Sequence, residues 1–146
     1  MDIKRLSIGS ITGLVVLYVL GVVIWEMLFA GFFAANSDTD LDVSRANEII
    51  WATVVGCLFY AVLITLMMEA RGGTASPVDG LKTGAIVGFL LWGTSDFTLY
   101  GFLALSNLTA TIADTVLEAV RGGITGAVIA LVLGKIGDSS PVAVEQ

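Results

Sequence analysis

The stretch Ile49-Ile-Trp-Ala-Thr-Val-Val-Gly-Cys-Leu-Phe-Tyr-Ala-Val-Leu-Ile-Thr-Leu-Met-Met68 runs without a single charge. A helix that is apolar all round belongs either in a large core or in a membrane. A chain of 146 residues has too small an interior to offer the first home, and a bilayer crossing needs roughly 20 apolar residues. Working outward from this stretch, three more runs have similar length. Ile11–Ala35 is interrupted only by Glu26, and Thr83–Leu105 only by Asp96. Thr111–Gly134 carries Asp114, Glu118 and Arg121. None alternates with the period of two that a membrane β-barrel requires. The pattern predicts an all-α protein, an integral membrane four-helix bundle of up-down-up-down topology in one domain spanning 1–146. The expected helices cover about 8–35, 47–70, 81–105 and 110–135, and 136–146 is expected to be a frayed cytoplasmic tail.

Composition agrees. Hydrophobic residues make up 56% and charged residues 14%, with a mean hydropathy of +0.92, whereas a soluble domain carries nearer a quarter charged. The chain has no histidine, which removes His-ligated haem, His-bearing zinc sites and His general bases. The lone Cys57 has no intrachain disulfide partner and reads as a small buried hydrophobe. The net charge of −6 argues against a nucleic-acid partner, which calls for a basic face. No Ser–His or Cys–His pairing, no dense acidic metal motif and no lysine within a span for a Schiff base is present, so neither an enzyme nor a cofactor or metal protein is expected.

Lysine and arginine set the orientation. Lys4, Arg5, Arg71, Lys82 and Lys135 fall on one side; the other has Arg45 and the acidic loop from Asn36 to Asp42. Both termini are therefore expected in the cytoplasm, with the protein in a bacterial or archaeal inner membrane. The first run is too long for a signal peptide and carries Glu26, which favours an uncleaved helix. Arg71–Pro77 is a turn-rich connector. The connection around Ser106-Asn107 is short enough to force the last two helices into an antiparallel hairpin.

Ionisable groups in hydrocarbon face the bundle interior and a partner. At about 100° per residue, Asp114, Glu118, Arg121 and Thr125 lie within roughly 60° of one another. Trp92, Asp96 and Tyr100 form a second stripe. Glu26, Asp96 and Glu118 are thus candidates to gather with Arg121 in one interior site. Carboxyls crowded in a low-dielectric interior resist ionising together, which is the raw material of proton coupling. Gly9/Gly13, Gly80/Gly84/Gly88 and Gly122/Gly126 have the spacing that lets helices approach closely. The chain then reads as a bundle closed toward the cytoplasm and splayed outside. Plainer readings stand beside these. The Arg121 cluster is also what a purely structural ion pair looks like; Glu48 and Asp114 also suit helix starts at the interface; Trp25, Trp51, Trp92 and Tyr100 also suit an aromatic belt.

The segment Gly84-Ala-Ile-Val-Gly-Phe-Leu-Leu-Trp-Gly-Thr-Ser-Asp-Phe-Thr98, followed by Asp114 and a Gly-rich last helix, resembles a family of small, uncharacterised four-helix bacterial membrane proteins. In that family the third helix carries a Thr-x-Asp-x-Thr motif and a second Asp opens the fourth. The pair Trp25-Glu26 is similar to the acid–Trp pair that ends the family's first helix, in reversed order. Leu99 stands where the family often has Asn, and Arg121-Gly122 where it often has Trp-Gly. The resemblance implies the four-helix topology, marks Thr94, Asp96, Thr98 and Asp114, and brings no known activity.

These readings predict an outward-facing cleft that binds or transports a small polar or amphipathic ligand, a lipid headgroup among the candidates, with Glu26, Trp92, Thr94, Asp96, Thr98, Tyr100, Asp114, Glu118 and Arg121 as its ligand-binding or proton-coupling residues. The expected partners are the lipid bilayer, a second copy in a homodimer and the ligand. The alternative is an accessory subunit of a larger membrane complex.

Overall fold

A computed structural model describes residues 2–39, 45, 47–72 and 76–137, and among these the protein is all-helical. Helix α1 covers Ile3–Gly21, starting from Asp2, whose carboxylate accepts the Lys4 N–H at 2.8 Å. It continues into a π-helical turn, Val22–Leu28, ends at Phe29, and is followed by the short α2, Ala30–Ala35. The single first helix expected over 8–35 is therefore longer at its start and broken near its end. Helices α3, α4 and α5 cover Ile50–Ala70, Pro77–Phe102 and Leu108–Gly137. Pro77 opens α4 instead of closing a loop: Ser76 Oγ accepts the Val78 N–H at 3.2 Å, and proline at the first helical position forfeits no bond. Asn107 starts α5 in the same way, its side-chain oxygen accepting the Ala110 N–H at 3.0 Å. Of the tail expected over 136–146, Ile136 and Gly137 belong to α5, and 138–146 lie outside the described residues. So do 40–42 of the acidic loop and 73–75 of the Arg71–Pro77 connector.

Three segments, Ile3–Leu28, Ile50–Ala70 and Leu108–Ile136, are long and apolar enough to cross a membrane, which is compatible with a membrane protein. The third expected span, now α4, has the length but is not among them. Its glycines, Thr94, Ser95 and Asp96 dilute its hydropathy.

Helices α4 and α5 pack antiparallel along a glycine seam. A Cβ placed on Gly84 would overlap the Gly122 carbonyl oxygen, and one on Gly80 the Gly126 carbonyl oxygen. Backbones meet here with no side chain between them, which brings dispersion contacts to close range. Helix α1 packs antiparallel on both α3 and α5: a Cβ on Gly13 would stand 2.9 Å from Ala61 Cβ and 2.9 Å from Ile129 Cδ1. Leu17, Ile64, Met68, Ile129 and Leu133 fill the space between these three helices, all essentially fully buried. Arg5 closes this end, with Nε 3.0 Å from Glu69 Oε1 and Nη1 donating to the Leu133 carbonyl at 3.3 Å.

The opposite end is held differently. The chain leaving α2 is clipped to the α4–α5 turn: Asn107 donates from its backbone to the Asn36 carbonyl and from Nδ2 to Asn36 Oδ1, both at 3.0 Å. The start of α3 takes no part, and Trp51 there is 71% exposed. Large apolar side chains cover the outside of the molecule, including Ile11, Phe59, Phe89 and Val120, while Glu118, Arg121, Thr65, Thr115 and Thr125 are buried.

Candidate functional site

The glycine seam ends at Gly88, beside the Glu118 carbonyl and the Tyr60 hydroxyl. Beyond it the helices diverge, and among the cavities that open there two are lined by carboxyl groups. The larger, about 500 Å³, lies between the end of α1, the π-turn, the start of α3, and α4 and α5; Glu26, Glu48, Trp92, Glu118 and Arg121 line it. The smaller, about 240 Å³, lies nearer the α4–α5 turn and is lined by Phe33, Asp96, Tyr100 and Thr111 among others. Trp25 and Asp114 line both. Trp25 Nε1 donates to Asp114 Oδ1 at 2.7 Å, so this one hydrogen bond forms the wall between the cavities.

Arg121 anchors the larger cavity. Its Nη1 lies 2.7 Å from Glu118 Oε1, one helical turn away. Nε and Nη2 both donate to the Leu17 carbonyl, at 3.1 and 2.8 Å, and Nη2 also reaches Cys57 Sγ at 3.5 Å. A helical carbonyl has a second lone pair to offer. Gly21 lets the guanidinium reach it: a Cβ at Gly21 would stand 3.0 Å from Arg121 Nη2. The guanidinium carbon also lies 5.2 Å from the centre of the Trp25 ring, a cation–π contact. Arg121 thus ties α1, α3 and α5 together at the floor of the cavity.

Glu118 is 2% exposed, and only one of its oxygens is used. Among the described residues its Oε2 is buried with no hydrogen-bond partner, and so is Trp92 Nε1. One is an acceptor, the other a donor, and both residues line the larger cavity. An unpaired polar atom in a dry interior costs on the order of 1–3 kcal/mol, so two of them at one cavity mark a place where something polar belongs.

Asp96 Oδ2 accepts the Thr115 hydroxyl at 2.9 Å. Asp96 and Asp114 both line the smaller cavity. Of the four groups expected to gather, Glu26, Glu118 and Arg121 line the larger cavity and Asp96 lies apart from them. Glu118 pairs with Arg121, Asp96 sits in the neighbouring cavity with Asp114, and Glu26 is exposed at the rim of the larger one. Trp92 lines the larger cavity and Tyr100 the mouth of the smaller, 42% exposed. Thr94 donates to the Leu90 carbonyl at 2.7 Å on an exposed face; Thr98 is exposed, and neither threonine lines either of these two cavities. Sequence reasoning passed over Leu17, Gly21, Cys57 and Tyr60 as parts of the site. A glycine at the end of the Gly9-Gly13-Leu17 face is the one signal that pointed there. Among the described residues no group of three acidic or thiol side chains is placed to hold a metal ion.

Comparison of the chain with family models, with curated proteins and with solved structures returned no match.

Proposed function

We propose that this is a small integral membrane protein, with α1, α3, α4 and α5 crossing the bilayer in up-down-up-down order and both termini in the cytoplasm, whose larger cavity binds or transports a small polar or amphipathic ligand. The observation that carries the reading is the pair of buried, unpartnered atoms, Glu118 Oε2 and Trp92 Nε1, at one cavity of about 500 Å³. That volume lies within the range of small-molecule sites. The apolar outside and polar inside support the membrane assignment, because lipid reverses the ordinary sorting of side chains. In the proposed orientation Arg5, Glu69 and Lys135 lie at the cytoplasmic surface and the cavities open toward the outer half of the membrane. The likeness to the Thr-x-Asp-x-Thr family stays part of this proposal; it contributes topology and no activity.

Reconstituted protein, screened for ligand-dependent thermal stabilisation against small polar and amphipathic compounds, tests the reading. Compounds that raise the melting temperature of the wild type and not of Trp92→Phe support it, and a screen with no stabilising compound counts against it. The second reading, an accessory subunit of a larger membrane complex, draws on a separate apolar groove of about 330 Å³ lined by Leu81, Ala85, Val116, Val120 and Ile124 on another face of α4 and α5. Purification in mild detergent distinguishes the two: stoichiometric co-purifying membrane subunits favour it, and a monodisperse monomer or homodimer removes its support.

A further inference from the structure

We infer that the larger cavity selects an ammonium ion that still carries an N–H, borne on an apolar body: a primary or secondary amine in its protonated form. This rests on the cavity being a ligand site, as proposed above, and names what the ligand must be.

Charge is the first ground. Glu26, Glu48, Asp114 and Glu118 line the cavity, against the single guanidinium of Arg121. Arg121 is engaged by Glu118, the Leu17 carbonyl and Cys57, so it is not poised to receive an anion. The Glu118–Arg121 pair balances itself, so the exposed carboxylates at the rim, Glu26 and Glu48, leave the mouth of the cavity negative, which repels an anionic ligand and attracts a cation. Tyr18, Trp25 and Trp92 supply aromatic walls, which favour a cation carried on an apolar body.

The orphaned oxygen narrows the class. Aromatic walls and negative charge alone would accept a quaternary ammonium ion as well as any other. Glu118 Oε2 is buried and has no donor among the described residues. A ligand bearing an N–H can donate to it directly, whereas a trimethylated nitrogen has no hydrogen to give and places methyl groups where the hydrogen bond belongs. A hydrogen bond to a charged group is worth enough to give at least about a tenfold preference. Trp92 Nε1 adds a donor for an oxygen on the same ligand or for a water beside it. The same ammonium chemistry occurs on soluble lipophilic amines and on ethanolamine lipid headgroups.

The test titrates the full-length protein in phosphatidylcholine nanodiscs by calorimetry with 4-phenylbutylamine, its N,N,N-trimethyl analogue and 4-phenylbutanoate. The expected result is saturable binding of the amine, at least about tenfold weaker binding of the trimethyl analogue, and none of the anion. Glu118→Gln should erase the preference for the N–H cation. Should that variant not fold, the double variant Glu26→Gln/Glu48→Gln leaves the buried network untouched and should weaken amine binding several-fold with an unchanged melting temperature. Equal or tighter binding of the trimethyl analogue, or binding of the anion in place of the amine, overturns the inference and leaves the cavity as a ligand site. No saturable binding of any of the three, together with an empty thermal-shift screen, removes the site itself. Repeating the titration in phosphatidylethanolamine nanodiscs separates the sources. A lower apparent amine affinity there identifies the lipid headgroup as a competitor for the site, and an unchanged one identifies a soluble amine.

Discussion

The two ends of the molecule are built on opposite rules. At the Arg5 end, glycines bring backbones into contact, Leu17, Ile64, Met68, Ile129 and Leu133 fill what remains, and the principal polar tie is the partly buried pair of Arg5 and Glu69. At the other end, tryptophans and carboxyls hold the helices apart around two cavities, and the fastenings are hydrogen bonds between residues far apart in the chain. The first end is a lock and the second a vessel. Close packing leaves no room for a ligand, and a cavity gives up the packing energy that the seam supplies. A small bundle can carry an open polar interior only if one end is rigid enough to hold the helices together without it.

The largest blow to this contrast should come from Arg121, which lies where the two ends meet. Arg121→Met removes one partner of a buried ion pair, and the expected loss is about 3–5 kcal/mol, read by thermal or denaturant unfolding in detergent. Adding Glu118→Leu should recover most of that loss, because replacing both partners removes the uncompensated charge. A double variant no more stable than the single would mean that the contacts to Leu17 and Cys57, and not the ion pair, are what Arg121 contributes. Gly84→Ala tests the lock. Its Cβ meets the Gly122 carbonyl oxygen, so α4 and α5 must part, at a cost of about 1–3 kcal/mol; an unchanged melting temperature would show that the seam is looser than its geometry. Trp25→Phe opens the wall between the cavities by deleting the donor to Asp114. The expected cost is about 1–2 kcal/mol, with increased uptake of a hydrophobic dye. The smallest effects are expected at Thr94→Ala and Thr98→Ala, within about 0.5 kcal/mol of the wild type, since both face outward. A large loss at either would restore the Thr-x-Asp-x-Thr motif as a unit.

Much of the architecture was legible because it rests on local periodicity. The uncharged run of Ile49–Met68 is helical from Ile50 onward, and the small-residue spacing of Gly80, Gly84, Gly122 and Gly126 marks faces where helices can approach closely, though the spacing alone suits a contact between copies as well as the α4–α5 contact seen. The Asp114, Glu118, Arg121 and Thr125 stripe could be drawn from helix geometry, and its last three members are indeed buried. The break at Phe29 was not legible. The π-turn before it adds a residue to the helical repeat, and nothing in Val22–Leu28 is a helix breaker. The partition of the carboxyls was also hidden. Whether Asp96 meets Arg121 or Thr115 depends on the relative height of α4 and α5, which the seam sets, and not on either helix alone.

The amino-acid pattern by itself determined which segments become helices, which of their faces are polar and which carry the small residues that permit close approach, because each of these follows from the repeat of a single helix and the solvent it must suit. Only the tertiary structure decided that Arg121 reaches the carbonyl of Leu17 past Gly21, that Trp25 closes on Asp114, and that one oxygen of Glu118 is left without a donor among the described residues. Those pairings join residues separated by most of the chain. Their distances are fixed by the rotation and height of neighbouring helices, which no local repeat encodes.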